Sequence, residues 1–269
     1  MTTRPVGTLV RDWRMRRHRS QMDVALDVGV STRHLSFVET GRSNPSPKLL
    51  VALADELDVP LRERNALLLA AGYAPRYQET PLDAATMTRV NDALQRLLDS
   101  HQPYPGAVID RMWNVVASNE AGQLLVAGAA PELLTPPVNV FRVSLHPDGM
   151  AQRILNFADW AAYLVGELRR AAALSGAPEL EALLEEVRRY PNIAALESWH
   201  TSSAEFEQPA VLVPLKFEAA GTELSLITTL TKFGTPQDVT LSELAVEMFF
   251  PADEATEQFL RSRGVAKRS

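Results

Sequence analysis

The feature that most constrains the fold lies between Ser20 and Gly41, where two short amphipathic runs, each preceded by a serine, are separated by a turn containing glycine. Ser20 is placed to cap a helix over Gln21 to Val28, because its side-chain oxygen satisfies a first-turn N–H that no intrahelical carbonyl reaches. Gly29 ends that helix, since glycine takes the left-handed conformation of a tight turn at little cost. Ser31 caps a second helix that runs to Thr40 and is closed by Gly41. Counted from Gln21, small Ala25 is fifth and Gly29 ninth, while Val30, Leu35 and Val38 fall at the tenth, fifteenth and eighteenth positions. The small residues let two helices approach, and the later apolar ones pack the second helix on its partner. Two capped helices across a three-residue turn, with these positions in register, are what a helix-turn-helix requires. The alternative is an unrelated helical hairpin.

Three further helices are expected around this pair, making five before Gly72. One spans roughly Gly7 to His18, with Val10 and Trp13 inward and Arg11, Arg14, Arg16, Arg17 and Arg19 largely outward. The others cover Ser46 to Leu57, with Pro47 in the first turn, and Leu61 to Ala70. Two prolines and a glycine between Gly72 and Pro81 mark a connector, so the first domain is drawn as residues 1–76. It holds 12 Lys and Arg against 8 Asp and Glu, whereas the remainder of the chain holds 15 against 25. A basic part followed by an acidic one points to a polyanion as partner of the first. The alternative is that both are simply solvated surfaces.

The run Ser31-Thr-Arg-His-Leu-Ser-Phe-Val-Glu-Thr-Gly-Arg-Ser43, followed by Pro60-Leu-Arg-Glu-Arg-Asn-Ala-Leu-Leu-Leu-Ala-Ala-Gly-Tyr-Ala-Pro75, resembles the XRE (Cro/repressor-type) regulators of bacteria. Within them it is similar to the branch that carries an MmyB-like ligand-binding domain. The resemblance implies a five-helix domain that docks on a double-stranded DNA operator as a homodimer. It places Gln21 on a phosphate, and Thr32 and Arg33 at the base edges with Ser36 and Phe37 one turn further on. Arg33 suits guanine, whose O6 and N7 its planar fork can bond together, and Phe37 suits a thymine methyl unless it is partly core. Arg14, His34 and Arg42 are expected on phosphates, which position the domain without reading sequence.

The remainder reads as α+β, so the fold expected for the chain is mostly α plus α+β. Asp83 is placed to cap a helix bearing Met87, Val90, Leu94, Leu97 and Leu98, drawn as a connector over 77–103, the alternative being that it opens the second domain. Strand, turn at Asp110-Arg-Met and strand follow, then a helix capped near Asn119. Long helices are expected from Gly149 to Leu174 and Pro178 to Arg189. Strands are expected at Pro209–Glu218, Thr222–Phe233 and Leu244–Phe250. The opening resembles a PAS domain, and residues 104–254 as a whole are similar to the PAS-like sensor of the MmyB-like branch. Residues 255–269 are drawn as a C-terminal tail, with the polar, basic run Arg261 to Ser269 frayed.

That resemblance implies a small, mostly apolar effector, with fatty acids among the class. Trp113, Phe141, Phe157, Trp160, Tyr163, Leu164 and Trp199 are the candidate lining, the alternative for each being plain core. Arg142, Arg153 and Lys216 are candidate anchors for an acidic head group. Cysteine is absent, the five histidines are scattered, and no nucleophile elbow, phosphate loop or dinucleotide fingerprint occurs, so neither catalysis, metal nor cofactor is expected. No signal-like or membrane-spanning run is seen, and a cytoplasmic location is expected. The reading is a ligand-responsive transcription regulator; its rivals are a C-terminal domain that only dimerises or holds a protein partner, and an enzyme with a DNA-binding appendage.

Overall fold

The computed structural model describes residues 4–200 and 212–266, with side chains for 4–196 and 212–263. The chain divides into two compact units, residues 1–82 with 234–242, and residues 83–233 with 243–269.

The first unit opens with five helices: α1 (Val6–Arg16), α2 (Gln21–Asp27), α3 (Thr32–Glu39), α4 (Pro47–Glu56) and α5 (Leu61–Ala70). Ser20, Ser31 and Ser46 cap α2, α3 and α4 as their positions demand, their oxygens accepting from the N–H groups of Asp23, His34 and Leu49. Gly29 sits at φ +73° between α2 and α3, the left-handed turn expected of it. Val10, Trp13, Val24, Ala25, Leu35, Leu50, Leu53 and Leu67 form the core. Helices α1 and α3 approach closely at Gly7, where a Cβ would lie 2.2 Å from the Val38 carbonyl oxygen and 2.8 Å from that of Glu39.

The second unit is built on a five-stranded antiparallel sheet of order β2-β1-β5-β4-β3. Its strands are β1 (Gly106–Ile109), β2 (Val115–Ser118), β3 (Leu215–Ala219), β4 (Thr222–Lys232) and β5 (Ala245–Pro251). Helix α6 (Thr88–Ser100) precedes the sheet. Between β2 and β3 the chain forms α7 (Gln123–Val126), α8 (Val140–Leu145), α9 (Phe157–Ser175), α10 (Pro178–Arg188) and α11 (Pro191–His200). The short α12 (Val239–Glu243) lies between β4 and β5, and α13 (Glu254–Ala266) closes the chain. Leu215, Phe217, Leu224, Leu226 and Phe249 from the sheet share one apolar cluster with Phe141, Trp160, Leu164, Leu168 and Leu180 from the helices.

Four local expectations change. Asp83 caps nothing, because α6 begins at Thr88 after a 3-10 turn at Ala85–Met87. Helix α6 is not a free connector: buried Asn119 accepts from the Gly106 N–H at 3.0 Å and donates to the carbonyls of Leu98 and Tyr104 at 3.2 and 2.8 Å, fastening its C-terminal end to β1. The long helix starts at Phe157 rather than Gly149, since Ile154 bridges Phe217 and the Leu155 N–H donates to the Lys216 carbonyl at 2.8 Å. That edge of β3 needs backbone partners, and an extended segment supplies what a helix cannot. The tail is instead α13, capped by Asp253, which accepts from the Thr256 N–H at 2.7 Å, and held by buried Thr256 and Leu260.

Gly7→Ala is expected to force α1 from α3, because the obstructing atoms are backbone carbonyls that cannot rotate away, and to cost about 1–3 kcal/mol. A lowered thermal midpoint with unchanged helix content checks it.

Candidate nucleic-acid interface and effector site

Most arginines of the N-terminal unit are engaged by the unit itself. Arg14, expected on a phosphate, is 8% exposed and donates from Nε and Nη2 to the two carboxylate oxygens of Glu39 at 2.7 and 3.0 Å. Its Nη1 donates to the Arg19 carbonyl at 2.8 Å, so the whole guanidinium faces inward. The hydrogen bond to Glu39 holds it above its ordinary pKa, against the opposing effect of burial. Gln21 donates from Nε2 to Glu39 Oε2 at 2.7 Å. A carboxamide nitrogen carries two hydrogens, so one stays available at the start of α2. Arg17 donates to the carbonyls of Leu57 and Asp58, both at 2.9 Å, and closes the C-terminal end of α4. Arg19 pairs with Asp27 and Glu56.

The start of α3 differs. Thr32 and Arg33 are exposed, and His34, Ser36 and Phe37 are half-buried. Phe37 stands outside the apolar cluster, with Arg33 and Arg42 over its ring at 5.3 and 5.8 Å. Among the described residues no carboxylate pairs with either arginine. Cation–π attraction thus holds both exposed guanidinium groups close to the ring.

In the second unit the predicted lining divides. Phe141 and Leu164 are core, at 0% and 4% exposure, while Trp113, Phe157 and Tyr163 are half-buried against the same cluster. Trp113 lies 4.8 Å from Phe141, and Trp160 lies 5.2 Å from Tyr163. Trp113 takes φ +63°, a conformation that costs a bulky residue energy, and its N–H donates to the Asp110 carbonyl while its own carbonyl accepts from Val140. Trp160 is buried with no acceptor for its indole Nε1–H among the described residues. The Trp199 side chain lies outside the described residues. A cavity of about 250 Å³ opens along the other flank of α9, between Ala158, Ala162, Gly166 and Arg169 and the α11 residues Ile193 and Leu196. No described residue of the predicted lining borders it.

The proposed anchors are committed elsewhere. Arg142 is bidentate to Glu186, both contacts at 2.7 Å. Lys216 alternates along β3 with buried Leu215 and Phe217, so it points to the opposite face. Arg153 donates to the Leu125 carbonyl beside the Phe217 ring, and burial lowers its pKa. Glu247 was missed. It interrupts the apolar run Leu244-Ala-Val-Glu-Met-Phe-Phe250, and a lone carboxylate in such a strand is the signal that marks it. It is only partly covered, yet its carboxyl is crowded enough that burial pushes its pKa from 4.5 up to about 7, against a hydrogen bond from Thr228 Oγ1 at 2.9 Å.

Two outcomes are expected. Glu39→Gln leaves Arg14 buried without a counter-charge, so protection of the α1 and α3 amides in native-state hydrogen exchange should fall by about 3–5 kcal/mol. For Glu247 the folded state holds a proton more tightly than the unfolded state does. Its contribution to stability is therefore fully present below pH 4.5 and is lost as pH rises to about 7. Thermal midpoints measured across that range should fall for the native chain relative to Glu247→Gln.

Residues 10–64 match the helix-turn-helix family, and residues 90–262 match the MmyB-like transcription regulator ligand binding domain. The chain is also 36% identical over 86 residues, 30% of its own length and 74% of the relative's, to transcriptional regulator ClgR of Mycobacterium tuberculosis, from two strains. A helix-turn-helix unit followed by a ligand-binding unit on an antiparallel sheet makes this chain a DNA-binding transcriptional regulator, and it belongs to the MmyB-like family.

Proposed function

We propose that the protein binds a roughly palindromic operator as a homodimer in the cytoplasm and that a small, mostly apolar effector in the second unit controls the binding. The observation that carries the DNA reading is the pair of arginines over the half-buried Phe37 ring, exposed Arg33 at the start of α3 and exposed Arg42 just beyond its end. Arg33 reads a guanine, Phe37 meets a neighbouring base edge, and Thr32 and Ser36 complete the readout. Arg42, His34 and the remaining Gln21 hydrogen hold phosphates, and Arg14 leaves that set because its guanidinium is spent on Glu39. In a dimer the two recognition helices lie about 34 Å apart, one per major groove on one side of the duplex.

The effector reading is supported by the half-buried aromatics around Trp160 and Tyr163 and by the family to which the domain belongs. Fatty acids are the class the resemblance brings. An effector bound only by the folded protein at a hundred times its dissociation constant raises stability by about 2.7 kcal/mol, which a thermal-shift screen detects. If nothing shifts stability or co-purifies, the domain serves dimerisation or a protein partner instead.

Operator affinity should fall with salt at a log–log slope of about −0.9 per phosphate neutralised. Arg33→Ala should lose about 1–3 kcal/mol at one base pair per half-site and relax preference there, while the protein's thermal midpoint stays unchanged. Site selection with the variant, followed by titrations at several salt concentrations, checks both. An unaltered selected site would show that α3 is docked in another register.

A further inference from the structure

Two polar groups on the effector side of the second unit lack what they need. Trp160 is 3% exposed, and its Nε1–H finds no acceptor among the described residues. Glu247 receives one side-chain hydrogen bond, from Thr228 Oγ1, and among the described residues no lysine or arginine pairs with it. The register of β4 and β5 sets Glu247 opposite Leu230 and Phe249 opposite Thr228, so all four share one sheet face. Leu230 is 45% exposed, which leaves apolar surface uncovered beside the carboxyl. Tyr163 links the two groups: its ring is 5.2 Å from Trp160, and its hydroxyl lies in the field of Glu247. The other charges acting on Tyr163 are Glu167 and Arg170 of the same helix.

We infer that the molecule held between this sheet face and α9 carries a nitrogen that donates a hydrogen bond, as an amide or an amine does, and not a free carboxylate. The inference rests on the reading of this domain as an effector site. An amide has a partner for either group, its N–H for Glu247 or its carbonyl for Trp160 Nε1–H. An ammonium supplies the positive charge that Glu247 lacks. A carboxylate satisfies the indole but sets a second negative charge near Glu247. Its three candidate anchors offer no relief, since Arg142 is held by Glu186, Arg153 by backbone carbonyls, and Lys216 points to the opposite face.

The test uses the full chain at about pH 8, where Glu247 is ionised, with decanamide, decylamine and decanoate below their micelle concentrations, read by calorimetry and thermal shift. Decanamide and decylamine should bind at least about tenfold tighter than decanoate, the scale of one hydrogen bond to a charged group. Glu247→Gln should abolish the discrimination against decanoate. Trp160→Phe keeps a ring and removes the donor, so it should weaken decanamide while sparing decylamine. If either variant fails to fold, the comparison of the three probes on the native chain decides. Tightest binding by decanoate overturns the inference and leaves the effector reading standing. Unchanged preference in folded Glu247→Gln also overturns it. Silence from all three probes overturns the inference and the effector reading together.

Discussion

The carboxylate of Glu39 organises the DNA-binding unit. It ends α3, accepts both arms of the Arg14 guanidinium from the end of α1, and accepts the Gln21 carboxamide from the start of α2. Three helices thus meet on one anion whose surroundings exclude water. Such a pair adds little net stability over a well-packed apolar substitute, because both charges lose their hydration. What it supplies is register. With Arg14 and Glu39 matched and with α1 lying against the Val38 and Glu39 carbonyls at Gly7, α3 has one rotation that satisfies everything. That rotation leaves Arg33, Phe37 and Arg42 outward. Arginines 14, 17 and 19 hold the scaffold together, and the two over Phe37 pair with no carboxylate among the described residues and stay open to a polyanion.

Much of this was legible from local chemistry. Serine before an amphipathic run, glycine after it and small residues at fixed offsets depend on backbone rules that act within a few residues, and α2, α3 and α4 follow them. The direction of Arg14 was not legible. Its helical position is compatible with either face, and only the arrival of Glu39, 25 residues later, decides. The segment before α9 failed for a related reason. Met150 and Ile154 have helical spacing, but Met150–Arg153 forms only a 3-10 turn and the backbone at Ile154 and Leu155 is captured by the edge strand β3, more than 60 residues away in sequence. In the tail, the basic residues from Arg261 onward outweighed Thr256 and Leu260, although those two fix the helix. At the effector site the aromatics were visible as a class. Which of them is core and which is rim follows from the pairing of the sheet with α9, and Glu247 gained its character only from burial.

Connectivity constrains how the proposed effector control could reach the DNA-binding unit. Strands β4 and β5 pair along their length and carry Thr228 and Glu247, yet the segment between them, Gly234–Ser242, belongs to the N-terminal unit. There Asp238 accepts from the Thr80 N–H and hydroxyl at 3.1 and 2.6 Å, and the Val239 N–H donates to the Gln78 carbonyl at 2.8 Å. The chain therefore passes between its two units three times, at residues 82–83, 233–234 and 242–243. A ligand moves an equilibrium only by its difference in affinity for two states. Of the two groups that lack partners, Glu247 sits on one of the two strands whose connection is built into the DNA-binding unit. Asp238 and Val239 in that connection are bonded to Thr80 and Gln78, a few residues beyond α5. Coupling between two sites is reciprocal, so under the proposed effector control operator DNA and effector each alter the other's affinity by the same factor.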